Sequence, residues 1–208
     1  MEALKNRSEE GINAHEKVFG GFEGVEIPHN MMEIVAERRL KNPTKRLHHH
    51  AFRSRNAEET RKFYEDILGF PLIQAVIQKR NFSEHKNNFC HIFFELADGS
   101  ALAFFDCIGT LGKRGYEPDS GWDHHVALYV ENDEDIENYK RRLDAANIPN
   151  RYVDHLVYHS LYFNDPNGLN LEFCTNAPIT PEYELKAPLI ARRDLETWMN
   201  YAHREQDS

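Results

Sequence analysis

The sequence predicts an α+β protein made of paired βαβββ modules that form a curved mixed-sheet cleft, flanked by N- and C-terminal extensions. Two observations carry this. The first is an internal repeat: His49-His50-Ala51-Phe52-Arg53-Ser54-Arg55-Asn56 and His125-Val126-Ala127-Leu128-Tyr129-Val130-Glu131-Asn132 each open a strand-like run on a histidine and reach an asparagine seven residues later. The copies lie 76 residues apart, each just before an acidic amphipathic segment. Such self-similarity sets the architecture before any local reading, because each copy is one supersecondary unit. The second is the order of hydrophobic periods within a copy: an alternating strand, a helical stripe, then three more strands.

Residues 1–45 form the N-terminal extension. Its first 29 residues are polar and glycine-bearing and read as an arm, and 31–40 read as a short helix ended by Asn42-Pro43. The central domain spans 46–176, with modules at 47–106 and 123–175. In the first module a strand over 47–54 leads to Asn56, a helix N-cap with Glu59 at the third helical position. The helix 57–69 buries Phe63, Tyr64, Ile67 and Leu68 and is closed by Gly69. Strands at 71–78, 89–96 and 100–106 follow, the last two joined by Ala97-Asp98-Gly99. A turn-rich loop, 109–122, separates the modules. The second repeats the pattern: strand 123–130, helix 133–147 with Leu143 and Ala146 inward, then strands 150–156, 157–164 and 169–175, with Asp165-Pro166-Asn167-Gly168 as the tight connection. Residues 177–208 carry prolines and then a helix at 193–203, expected to serve packing or a homodimer contact.

Composition excludes several classes of function. The 25 Lys and Arg against 34 Asp and Glu leave a net charge of −9, which argues against nucleic acid or an anionic membrane as a partner. No apolar run approaches the roughly 20 residues of a membrane span, and the first residues lack the apolar stretch of a secretory signal, so a cytoplasmic protein is expected. Cys90, Cys107 and Cys174 have neither an even count nor CxxC spacing and read as small core residues.

The chemistry lies in strand parity. Alternation puts His49, Ala51 and Arg53 on one face of the first strand, His125, Ala127 and Tyr129 on one face of its copy, and Asn170, Glu172 and Cys174 on one face of the last. If the two sheets pair about a pseudo-twofold axis, His49, His125 and Glu172 meet in the cleft. Two imidazoles and a carboxylate leave coordination positions open, the set used to hold Fe(II) with substrate and dioxygen; Mn(II) also suits it, and Zn(II) or Ni(II) are compatible with the ligand types. His48, His50 and His124 fall on the opposite face and read as ordinary hydrogen-bonded residues.

Together the pieces 49–56, 63–70 (Phe-Tyr-Glu-Asp-Ile-Leu-Gly-Phe), 125–132 and 165–172 resemble the vicinal oxygen chelate superfamily, which includes glyoxalases, bleomycin- and fosfomycin-resistance proteins and extradiol dioxygenases. The resemblance implies the paired βαβββ fold with a metal in the shared cleft. Glyoxalase-like members place an acidic fourth ligand on the fourth strand of the first module, where this chain has Ala103. A three-ligand site is instead similar to the type I extradiol dioxygenases, in which a catechol binds the iron through vicinal oxygens. Those enzymes carry a tyrosine ten residues before the ligand glutamate, which here is Tyr162, and use histidines as acid and base, for which His155 is the nearest candidate and His159 the reserve. The resemblance therefore implies a non-haem Fe(II) dioxygenase acting on a small aromatic substrate and O2, with His49, His125 and Glu172 as ligands and Tyr162 and His155 managing protons. Two alternatives stay open: a metal-dependent glyoxalase-like isomerase or lyase, and a ligand-sequestering resistance protein.

Overall fold

The computed structural model describes residues 24–82, 85–108, 123–155, 158–176 and 180–206. Most of the expected N-terminal arm and the loop 109–122 lie outside the described residues. In chain order the elements are α1 (Met31–Lys41), β1 (His49–Ser54), α2 (Ala57–Arg61) continuing into a π-helical turn (Lys62–Ile67), β2 (Leu72–Phe82), β3 (His85–Glu95), β4 (Ala101–Ile108), β5 (Val126–Tyr129), α3 (Asp133–Ala145), β6 (Asn150–Asp154), β7 (Tyr158–Asn164), β8 (Asn170–Asn176) and α4 (Thr180–Gln206). None of these helices is long and apolar enough to cross a membrane. Two compact units emerge, one of Lys45–Val153 with Ser160–Cys174, the other of the remaining described residues.

The repeat is realised strand for strand. One sheet runs β1-β4-β3-β2 and the other β5-β8-β7-β6. In both, the first strand lies parallel to the last, with Ala51 opposite Ala103 in one and Ala127 opposite Glu172 in the other. Ala103 thus stands where the second module has its carboxylate. One face of each sheet carries the core: Ile92, Phe94, Leu102 and Phe104 from the first and Leu161, Phe163, Leu171 and Phe173 from the second are buried against Phe63, Tyr64, Leu68, Ile136 and Leu143 of the helices. By strand alternation the opposite faces carry His49, His91 and Ala103, and Ser160, Tyr162 and Glu172.

Both helices of the repeat begin as expected, with the Asn56 and Asn132 side chains accepting the backbone N–H groups of Glu59 and Asp135. The first then departs from the regular α-helix. Leu68 N–H bonds Phe63 O, five residues back, and the π turn that results points Phe63, Tyr64 and Leu68 all into the core while Ile67 stays half-buried. Gly69 closes it at φ +83°; a side chain there would also meet Arg142, whose guanidinium donates to Leu68 O at 2.8 Å.

A buried polar network ties the modules together. Asp165 accepts from the Tyr64 hydroxyl at 3.0 Å, from the backbone of Asn167 and Leu169, and from the Asn167 amide. Asn167 in turn accepts from Arg55 N–H and meets the Thr60 hydroxyl. The tight turn between β7 and β8 is therefore also a cross-module lock.

Other departures concern the bounds of the elements. β2 and β3 extend well past the expected ends, because antiparallel pairing from Gln74 to Phe93 continues through the polar residues to Phe82 and His85. β5 is only four residues long. α4 starts at Thr180 rather than 193 and contains Pro188, a residue that removes one helical hydrogen bond and is normally a stop signal.

Candidate functional site

Glu172 is the centre of the second module's open face. β8 turns Leu171 and Phe173 into the core and Glu172 the other way, yet the residue is only 3% exposed. A carboxylate removed from water needs partners on both oxygens. Oε2 lies 2.9 Å from His125 Nε2, and Oε1 accepts the Tyr162 hydroxyl at 2.9 Å as well as the Ser160 hydroxyl. The His125 ring meets the edge of Tyr162, and the Arg151 guanidinium lies 5.1 Å over the same tyrosine ring. Cys174 is next along the face; burial first, then the Glu172 charge, pushes its thiol above the usual range.

The first module presents the equivalent face without an acid. His49 occupies the register position of His125, and Ala103, fully buried, that of Glu172. His49 Nδ1 is 2.8 Å from His48 Nδ1, and its ring packs against Phe93 and His91. His91 stacks on Phe105 at 3.6 Å and 14°, and its Nε2 is buried with no hydrogen-bond partner among the described residues. Burial, then proximity to His49, lowers the His91 imidazole below its ordinary pKa.

Against these observations stands a family-model match: residues 46–173, more than half of the chain, match the Glyoxalase/Bleomycin resistance protein/Dioxygenase superfamily. The chain belongs to this superfamily.

One solved structure supports the fold, and others are more distantly similar. A glyoxylase/bleomycin resistance protein/dioxygenase domain from Frankia sp. is 18% identical, with 66% of this chain and 95% of that one aligned at a TM-score of 0.51. A lactoylglutathione lyase from Agrobacterium tumefaciens is 19% identical over 64% of this chain and 95% of its own, TM-score 0.45. The fosfomycin resistance protein FosX from Listeria monocytogenes, solved with Mn(II) and sulfate, is 18% identical over 65% and 95%, TM-score 0.48. No curated protein matches the sequence.

For a superfamily member the question is whether these residues suit a divalent ion. The structure brings His125, Glu172 and Tyr162 together but does not bring His49 into the same cluster: among the described residues no group of three His, Cys, Asp or Glu side chains is close enough to enclose an ion. The chemistry of the donors nonetheless fits. His125 Nε2 and Glu172 Oε2 face each other at 2.9 Å, and a cation would take one lone pair from each. The His48–His49 contact ties up Nδ1 of His49, which leaves Nε2 as the nitrogen for a metal; a ligating histidine usually has its other ring nitrogen hydrogen-bonded in this way. His48, expected on the far face as a bystander, is therefore in direct ring-nitrogen contact with His49. Its position beside His49 in sequence was visible, but strand parity hid the contact.

His155 and His159 sit at the β6–β7 hairpin, in the other compact unit. The backbone N–H of His155 donates to Tyr158 O at 2.9 Å and its ring packs on Tyr158, while His159 Nε2 lies 3.7 Å from Asp154. All three cysteines are partly buried, and Cys174 belongs to the open face beside Glu172 rather than to the core. The expectation of three core cysteines holds for Cys90, which packs against the core, and is corrected at Cys174 and Cys107, because strand alternation aligns them with Glu172 and Ala103. Ser160 was not anticipated at all; its spacing of two residues before Tyr162 on one strand was the available signal.

Proposed function

We propose that this chain is a metal-dependent oxidoreductase of the extradiol dioxygenase type, which binds a small aromatic substrate through two vicinal oxygens and cleaves its ring with O2. His125, Glu172 and His49 are the proposed ligands of one divalent ion, Fe(II) in this reading. When bound, such an ion supplies a Lewis-acidic anchor for the two substrate oxygens and access to dioxygen chemistry.

The observation that carries the reading is the doubly engaged carboxylate of Glu172, with His125 on one oxygen and Tyr162 on the other. The Tyr162 hydroxyl is already aimed at the edge of the donor set, where it can transfer its hydrogen bond from Glu172 to a phenolic oxygen of the substrate. Ser160 remains on Oε1 and keeps the carboxylate oriented when Tyr162 turns away. Arg151, over the tyrosine ring, favours the electron-rich phenol face and offers positive charge toward an anionic substrate. In this reading His48 holds the His49 tautomer through the contact between their Nδ1 atoms.

Oxygen uptake tests this. Protein loaded with Fe(II) should consume O2 with one or more members of a panel of single- and fused-ring catechols and yield a ring-opened product. Absence of uptake with every vicinal diol, together with metal-dependent isomerase or lyase turnover, would reassign the chain to proton-transfer chemistry on the same residues.

A further inference from the structure

His91 stands on the open face of β3 with a ring nitrogen that no described residue engages. Its cross-strand partner is Phe105, on which it stacks, and it also packs at 4.2 Å on Phe93 and at 6.0 Å from His49. A phenylalanine would fill this aromatic stack equally well. What distinguishes histidine is Nε2, and that atom is buried with no hydrogen-bond partner among the described residues. Buried polar atoms in folded proteins are satisfied as a rule, so an orphan points to a partner that arrives from outside the chain.

The repeat says where that partner binds. Phe93 stands ten residues before Ala103 as Tyr162 stands ten before Glu172, and His91 stands twelve before Ala103 as Ser160 stands twelve before Glu172. In the second module both equivalent side chains reach the carboxylate. In the first there is no carboxylate to reach, and Phe93 carries no polar atom. His91 is consequently the polar side chain of β3 beside His49, on the face from which a bound molecule would be approached.

We propose that His91 Nε2 is the first module's hydrogen-bonding partner for an oxygen of the bound substrate, the counterpart in that module of the role given to Tyr162 in the second. The assignment makes His91 a substrate-positioning group and leaves the ion to His49, His125 and Glu172; it rests on the proposed function for the class of substrate, an aromatic vicinal diol.

The test is anaerobic titration of the Fe(II)-loaded chain with 4-nitrocatechol, followed by its absorbance change, beside metal analysis of each variant. His91→Phe, which keeps the stack and removes the nitrogen, should weaken binding roughly tenfold, the scale of one lost hydrogen bond, with iron content unchanged. His91→Leu supplies the same comparison on different packing, and His91→Gln, which keeps an N–H, should lie between these and the unaltered chain. Equal affinity in the unaltered chain and His91→Phe would overturn the role of His91 alone. Loss of iron in His91→Phe would overturn it in favour of a metal ligand. Failure of the unaltered chain to bind 4-nitrocatechol would overturn both this assignment and the ring-cleavage reading.

Discussion

The Tyr162 hydroxyl donates to Glu172 Oε1 at 2.9 Å while His125 Nε2 lies 2.9 Å from Oε2 of the same carboxylate. Two groups with different proposed tasks, one for the ion and one for the substrate, thus meet through one side chain. Their separation by mutation is the clearest experimental handle on the site.

Tyr162→Phe should retain the metal, because the phenol is not among the proposed ligands and Ser160 still holds Glu172. Turnover should fall by roughly 10²- to 10⁴-fold, the range for loss of a proton-transfer group. Metal content and oxygen uptake measured on the same preparation check this. Parallel loss of metal would move Tyr162 into the ligand support.

Asp165→Ala should destabilise the fold by about 3 kcal/mol, since it removes the buried acceptor shared by the Tyr64 hydroxyl, the Asn167 amide and two backbone N–H groups. Tyr64→Phe should cost less, about 1 kcal/mol, since it leaves Asp165 its other three donors. Urea midpoints of the two variants should preserve that order.

The depressed pKa of His91 makes a statement about acid stability. A histidine that is harder to protonate folded than unfolded contributes stability that is present above the unfolded value and lost as the pH falls through the folded one. The metal-free chain should therefore lose more stability than His91→Phe between pH 8 and pH 5.5. An equal loss in both, by urea titration, would show that His91 does not titrate differently on folding.

Much of this was legible in the sequence because β-strands have a period of two. Parity alone put Glu172 opposite Leu171 and Phe173; Tyr162 was legible only through the resemblance, as the tyrosine ten residues before Glu172; the repeat put Ala103 in the register position of Glu172. The π turn was not legible, since Phe63, Tyr64, Ile67 and Leu68 are apolar at spacings that suit an α-helix equally well. The long ribbon of β2 and β3 was hidden for a similar reason: Lys79 to Asn88 is polar, and its pairing comes from backbone hydrogen bonds rather than from an apolar face. His91 alternates with Phe93 in plain view, but an unsatisfied ring nitrogen is a property of packing and has no sequence signal. The side-chain contact between His48 and His49 is equally invisible to parity, which assigns neighbouring residues to opposite faces.

Metal titration of the purified, chelator-stripped chain and of its His49→Ala, His125→Ala and Glu172→Ala variants tests the central claim most directly. One divalent ion should bind per chain, and each variant should bind it at least tenfold more weakly while keeping its far-ultraviolet circular dichroism. Absence of stoichiometric binding in the unaltered chain, or undiminished affinity in His125→Ala and Glu172→Ala, would contradict it.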